Sequence, residues 1–337
     1  MPNFLRCCGT RCGLILALAA LFAGVALLPA SAGAQQKKKA EDQYPPENKT
    51  EKTKDGGTIH FTYYRSLLGK NAPVILLLHQ KGGNRLIWQG QGGFAPRMQA
   101  QGYAVITVDL RHHGESRDGG ADAAAGGNAN QNDKKKGGGK KAAAKDLKPQ
   151  DYRAMADLDL EAVKRFIYEE NQAENLNMNK IGIVGPEMGA SVATQFAAND
   201  WLKEPHPDGQ VGYQTPRGQD VRAIVLISPQ TSFHGLAMTK AIDVLRNPDF
   251  NVAFLVCVGK NDTEDKGQAK KIFDLANALP NSDKRMYKYE YPGKLRGTDL
   301  IGKGLQIEDH MVAFFGEHLL KLDAQWKDRQ SKLIKKK

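Results

Sequence analysis

The chain is 337 residues long and carries 48 Lys+Arg against 37 Asp+Glu, a formal charge of +11. That length accommodates two domains, or one α/β domain with insertions. Much of the excess charge sits in three lysine runs, 37–39, 134–141 and 335–337. No nucleic-acid fold motif accompanies them, so they argue against specific nucleic-acid recognition and for weak attraction to anionic surfaces at most.

Arg6 and Arg11 precede an apolar run at 14–28, and Ala32-Gly33-Ala34 supplies a small-residue cleavage signal before Gln35. Residues 1–34 therefore read as a signal peptide, with an uncleaved anchor as the alternative, and the mature protein is expected to be exported, periplasmic or secreted. No later stretch approaches the ~18 apolar residues of a membrane span, so no transmembrane helix is expected after cleavage. Cleavage removes two arginines and no acid, leaving a formal charge of +9. It also removes Cys7, Cys8 and Cys12, so no intrachain disulfide is possible in the mature chain. Cys257, inside the apolar run AFLVCV, is expected to be a buried structural thiol.

Residues 35–53 are polar, lysine-rich and interrupted by Pro45-Pro46, which predicts a disordered leader. Asp55-Gly56-Gly57 marks a turn, and the alternation over 58–64 predicts a half-exposed strand. The apolar runs 73–79 and 103–110 suit strands buried on both faces, with a helix over 85–101 between them. Residues 119–145 are Gly, Ala, Asn and Lys in low-complexity order. They lack an apolar face that would close on a substrate, so a disordered loop is expected, a lid being the alternative.

Further on, helices are predicted at 151–170, 236–245, 267–279 and 308–321, and strands at 221–228, 251–258 and 285–291, with a polar loop at 201–219. Strands and helices alternate, so the fold class is α/β with a mainly parallel sheet covered on both faces. The domain is expected over 54–325, with a basic tail at 326–337.

Within that order lies NKIGIVGPEMGASVA, at 179–193. Ile181, Ile183 and Val184 predict a short buried strand, 185–189 a sharp turn, and a helix from Ala190. Glycines flanking the tip of a strand–turn–helix are the setting of a G-x-S-x-G nucleophile elbow, whose tip is strained and whose neighbours must be small. The tip residue here is Glu187, not serine.

Five stretches in order resemble the α/β-hydrolase family over about residues 50–325: LLLHQKGGN, GYAVITVDLRHHGES, IGIVGPEMGASVA, AFLVCVGKNDTED and KLRGTDL. The resemblance implies an α/β-hydrolase fold, with nucleophile, acid and base at Glu187, Asp262 and Arg296. It also implies an oxyanion hole formed by backbone N–H groups of the Gln80 loop and of Met188. Arginine has no lone pair with which to accept a proton, so Arg296 cannot serve as the base. One guanidinium and two carboxylates would instead form a Glu187–Arg296–Asp262 ion network, the alternative being side chains that point to solvent.

Other readings keep an enzyme in view. Glu187 would act as a carboxylate nucleophile, as aspartate does in epoxide hydrolases and haloalkane dehalogenases, but the partnering histidine is missing. His310 would be a substitute base, against its plainer reading as a surface residue at a helix start. Ser191 or Ser228 would be nucleophiles, although neither is expected at a strained tip. His79, His112 and His113 read as hydrogen-bonding and packing residues. No metal-ligand cluster, phosphate loop or cofactor motif is present in the sequence.

The sequence thus predicts an exported α/β-hydrolase-like protein with a degraded triad. It would bind a small carbonyl-bearing or anionic ligand, or a partner protein. An active esterase or peptidase-like hydrolase with a non-standard triad is the alternative, and a basic envelope protein held on anionic polymer by its lysine runs is a third.

Overall fold

The computed structural model describes residues 43–90, 92–117, 147–279 and 284–334, all within one compact unit, Glu41–Lys337. The segment 1–34, residues 35–42 of the leader, the insertion 119–145 and the three lysine runs lie outside the described residues.

Among the described residues eight strands form one sheet: β1 (Glu47–Lys52), β2 (Thr58–Tyr64), β3 (Val74–Leu77), β4 (Ala104–Asp109), β5 (Ile181–Pro186), β6 (Val221–Ile227), β7 (Ala253–Gly259) and β8 (Met286–Tyr291). Their order is β1-β2-β4-β3-β5-β6-β7-β8. The β1–β2 and β2–β4 pairs are antiparallel, and every pair from β4–β3 onward is parallel. The runs Val74–Leu77, Ile181–Pro186 and Ala253–Gly259 are buried along their whole length, because helices cover both faces of a parallel sheet.

The helices are α1 (Phe94–Ala100), α2 (Pro149–Ala154), α3 (Leu160–Gln172), α4 (Met188–Trp201), α5 (Met238–Leu245), α6 (Gln268–Ala276) and α7 (Ile307–Phe315). A π-helical turn, Met155–Asp159, joins α2 to α3, and another, Gly316–Leu320, continues α7. One core joins Ile183 and Val256 of the sheet to Val163, Phe196, Ile242 and Ile272 of α3, α4, α5 and α6. The opposite face packs Val184 and Leu255 against Phe94 and Met98 of α1 and Met311 and Phe315 of α7. Among the described residues no helix is long and apolar enough to cross a membrane.

Several boundaries differ from expectation. Residues 47–52, placed in the disordered leader, form the edge strand β1, paired with β2 in register from Glu47↔Tyr63 to Lys52↔Thr58. Its sequence, ENKTEK, alternates in burial without any apolar residue, so hydropathy hid it. The single helix expected at 85–101 is a 3-10 turn, Arg85–Trp88, followed by α1, with Gly90, Gly92 and Gly93 breaking the run. A Cβ at position 93 would collide with the backbone of Gln89.

The described part of the expected tail is not free in solution. Arg329 is buried and pairs through Nη1 and Nη2 with the two carboxylate oxygens of Asp220, at 2.6 and 3.0 Å. Trp326 Nε1 donates to the Asn171 carbonyl, and Asn177 and Asn179 donate to the carbonyls of Ala324 and Gln325. The domain therefore includes β1 and the described residues 326–334.

Candidate active site

Loops at the C-terminal ends of β3, β5, β7 and β8 converge on one place, as expected of a parallel sheet. They carry Gln80, Glu187, Asp262 and Arg296 respectively.

Glu187 sits between β5 and α4 at φ 46°, ψ −107°, a conformation L residues rarely adopt. Its N–H donates to the Ile227 carbonyl at 2.8 Å, which ties the tip to β6. The flanking glycines are required: a Cβ at 185 would collide with Gly189, and one at 189 would collide with the His79 carbonyl. Strain of this kind costs on the order of 1–3 kcal/mol and persists only where the surroundings impose it. Here the imposing element is the close crossing of strand, helix and the Gln80 loop.

Arg296 lies among three carboxylates. Its Nε donates to Glu187 Oε2 at 3.2 Å and its Nη1 to Asp262 Oδ2 at 2.6 Å. Glu264, mostly exposed, stands 3.4 Å from Nε at the rim. The remaining nitrogen, Nη2, is buried with no hydrogen-bond partner. Burial works against the Arg296 charge, but Glu187 and Asp262 outweigh it and hold its pKa above the ordinary value. Burial raises the Glu187 pKa, and the nearby Arg296 offsets only part of that rise.

The loop after β8 closes the site. Gly297 has φ +54°, and a Cβ there would collide with Gln80 Oε1 and Glu187 Oε1. Gln80 Oε1 accepts from Thr298 N at 2.7 Å, so this side chain is spent on holding the Arg296 loop. The Gln80 carbonyl accepts from Gly83 N at 2.9 Å, in a tight turn beside the elbow. Met188, the other residue implied in an oxyanion hole, opens α4 with its side chain fully buried.

The substitute reagents fare differently. Ser228 has φ 48°, a strained backbone that the sequence reading did not anticipate, and its Oγ accepts from Gly297 N at 2.9 Å. Ser191 lies inside α4, buried and without a partner for Oγ. His310 is only partly exposed: its Nδ1 is 2.9 Å from Tyr291 Oη and its ring stacks on Tyr289, which corrects the expectation of a plain surface histidine. His79 is fully buried and spends both ring nitrogens on backbone. Leu110 N donates to its Nε2 at 3.1 Å, so Nδ1 carries the proton and donates to the Gln80 carbonyl at 2.8 Å. His113 Nδ1 bonds the Arg111 carbonyl at 2.8 Å, while His112 lies 3.7 Å from Asp151. Cys257 is buried, with its thiol pKa pushed up to about 12 by burial. Among the described residues no group of three or more His, Cys, Asp or Glu is placed to hold a metal.

A family model for the α/β-hydrolase fold matches residues 73–293. The esterase PF2001 of Pyrococcus furiosus is similar over 82% of this chain and 92% of its own, at 13% identity and a TM-score of 0.53. The α/β hydrolase GrgF from Penicillium sp. sh18 is similar over 82% and 99%, at 12% identity and a TM-score of 0.52. The hypothetical protein PA2218 of Pseudomonas aeruginosa is similar over 82% and 95%, at 14% identity and a TM-score of 0.50. At such identities the likeness is one of fold. Comparison with curated proteins gives no significant match.

Proposed function

The chain belongs to the α/β-hydrolase family, and from that premise we propose that it is an exported member that binds a ligand at the old catalytic position and does not hydrolyse it. The observation that carries this reading is the seating of Arg296. Acyl transfer needs a base to take the nucleophile's proton, and a guanidinium has no acceptor lone pair at any working pH. Here Arg296 also immobilises the residue at the nucleophile position, since its Nε holds Glu187.

The same residue suggests what is bound. An unpartnered buried donor costs about 1–3 kcal/mol, which a ligand acceptor would recover once movement of the Arg296 side chain exposes Nη2. An anion and a neutral carbonyl both offer such an acceptor. With Glu187, Asp262 and Glu264 around a single cation, an anion would meet net repulsion. A small carbonyl-bearing ligand is therefore favoured. Export is supported by the arginines, apolar run and A-G-A signal of residues 1–34.

Two measurements test this. Purified mature protein should not turn over short-chain aryl esters and should not be labelled by a fluorophosphonate. Labelling that disappears on Ser228→Ala or Ser191→Ala would establish the alternative, an active hydrolase. In the binding test, N-methylacetamide should shift the Arg296 guanidinium resonances in NMR while acetate leaves them in place. A stronger response to acetate would overturn the carbonyl assignment.

A further inference from the structure

The strand β8 lies at the sheet edge opposite β1 and carries Tyr287, Tyr289 and Tyr291 at alternate positions of one face. The α7 helix and the turn that continues it place His310, Phe314 and His318, each four residues on, against that face. The contacts follow the register. Tyr291 Oη lies 2.9 Å from His310 Nδ1, and the Tyr289 ring stacks on His310 with centroids 3.9 Å apart at 8°. Tyr287 Oη lies 3.2 Å from His318 Nε2, and the Tyr287 ring meets Phe314 edge-on, 5.8 Å away at 78°.

Among Tyr287, Tyr289, His310, Phe314 and His318 lies a cavity of about 140 Å³, with Leu255 in its wall and Glu317 beside it. None of these residues belongs to the Arg296 cluster.

The lining chemistry selects a ligand class. Aromatic faces carry negative quadrupole charge and attract cations, most strongly where water is excluded. Glu317, the one carboxylate of the wall among the described residues, is held ionised by its hydrogen bond from Lys321 at 2.7 Å, an exposed pair of the kind that exchanges readily. Burial lowers the His318 pKa, so this ring stays neutral near neutral pH and does not repel a cation. The size also suits such a group: an engineered apolar cavity of about 150 Å³ takes one benzene, and the pocket is open on one side, where the rest of the molecule would stay in water. We propose that this pocket binds a small organic cation through a methylated ammonium group.

The test uses the full chain, titrated by NMR with choline and with its uncharged isostere, in which a quaternary carbon replaces the nitrogen. Choline should bind saturably and roughly tenfold more tightly than the isostere. Tyr289→Ala, at a partly exposed position, should weaken choline binding roughly tenfold, and Tyr289→Phe should retain it. Glu317→Gln, at an exposed side chain, should weaken it several-fold and serves if the alanine variant does not fold. Equal affinity for choline and isostere, no saturable choline binding, or choline binding unchanged in both Tyr289→Ala and Glu317→Gln would each overturn the proposal.

Discussion

Arg296 donates from Nη1 to Asp262 Oδ2 at 2.6 Å, while its Nε holds Glu187 on the other side at 3.2 Å. One cation therefore offsets repulsion between two acids brought together by separate loops. Arg296→Met removes it and leaves both carboxylates in place. Burial already raises the Glu187 pKa above 4.5, and without the arginine it should rise further. A carboxyl group whose folded pKa is raised carries no penalty below its unfolded pKa and the full penalty above its folded one. The variant's stability deficit should thus be small near pH 4.5 and grow to about 1–3 kcal/mol by about pH 7, below the 3–5 kcal/mol of a fully buried pair because Glu187 is partly exposed. Urea unfolding at the two pH values measures this, and a deficit that shrinks as pH rises would contradict the arrangement.

Replacing the two residues that stand where the family resemblance implies nucleophile and base is the converse experiment. Glu187→Ser puts a hydroxyl at a tip already held at φ 46°, and Arg296→His puts an acceptor beside Asp262, which becomes its orienting acid. Short-chain aryl esterase activity should appear in the double variant and in neither single one, since nucleophile and base act as a unit. Gln80 is the element to watch. Its side chain bonds Thr298 N, so loss of the Arg296 contacts must leave that loop in place for the base to be positioned.

The elbow was legible because its constraints are local: an apolar run, two glycines that must lack Cβ atoms, and a helix at fixed spacing. That Glu187, Asp262 and Arg296 would meet was legible through the chain order the resemblance implies. Features fixed by distant partners were not. β1 contains no apolar residue and is defined by hydrogen bonds to β2. Arg329 is buried because Asp220, 109 residues earlier, neutralises it. The strained backbone of Ser228 arises where its N–H bonds the Cys257 carbonyl at 2.7 Å, a neighbour supplied by β7. The break between Arg85–Trp88 and α1 did have a local signal, the run Gly90 to Gly93, which outweighs the helical pattern on either side.

His79 gives a prediction at acid pH. Burial, with His113 beside it at 4.7 Å between ring centroids, pushes its pKa down to about 4 from 6.5. A histidine with a lowered folded pKa contributes stability that is complete above the unfolded value and is lost as pH falls toward the folded one. Wild-type stability should therefore fall as pH drops from 6.5 toward about 4, the loss being shared with the histidine beside it. The His79 ring resonances should show a neutral imidazole, protonated on Nδ1, through the upper part of that window, with the ring charging only toward its acid end. A ring titrating near 6.5 would remove the effect.

The docked C-terminal segment yields the last expectation. Asp220 receives Arg329 on both oxygens and Lys164 Nζ at 2.6 Å, and Lys164 also bonds Asp200, so two buried cations face two buried acids. Arg329→Ala leaves that cluster one positive charge short and also strips hydrogen bonds from Asn179 Oδ1 and from the carbonyls of Pro216 and Gly218. Removing one partner of a buried pair costs about 3–5 kcal/mol, and Lys164 retained beside Asp220 places this case near the lower end. Arg329→Lys keeps the charge but not the two-pronged contact, so its loss should fall between wild type and alanine. Urea midpoints for the three proteins, with amide exchange across residues 323–334, separate the possibilities. Exchange in that segment should accelerate more than in β5 or β7, because its own side chains bury little against the domain. A truncation after residue 322 should reproduce the alanine variant's midpoint; a truncated protein as stable as wild type would show that the segment rests on the domain without supporting it.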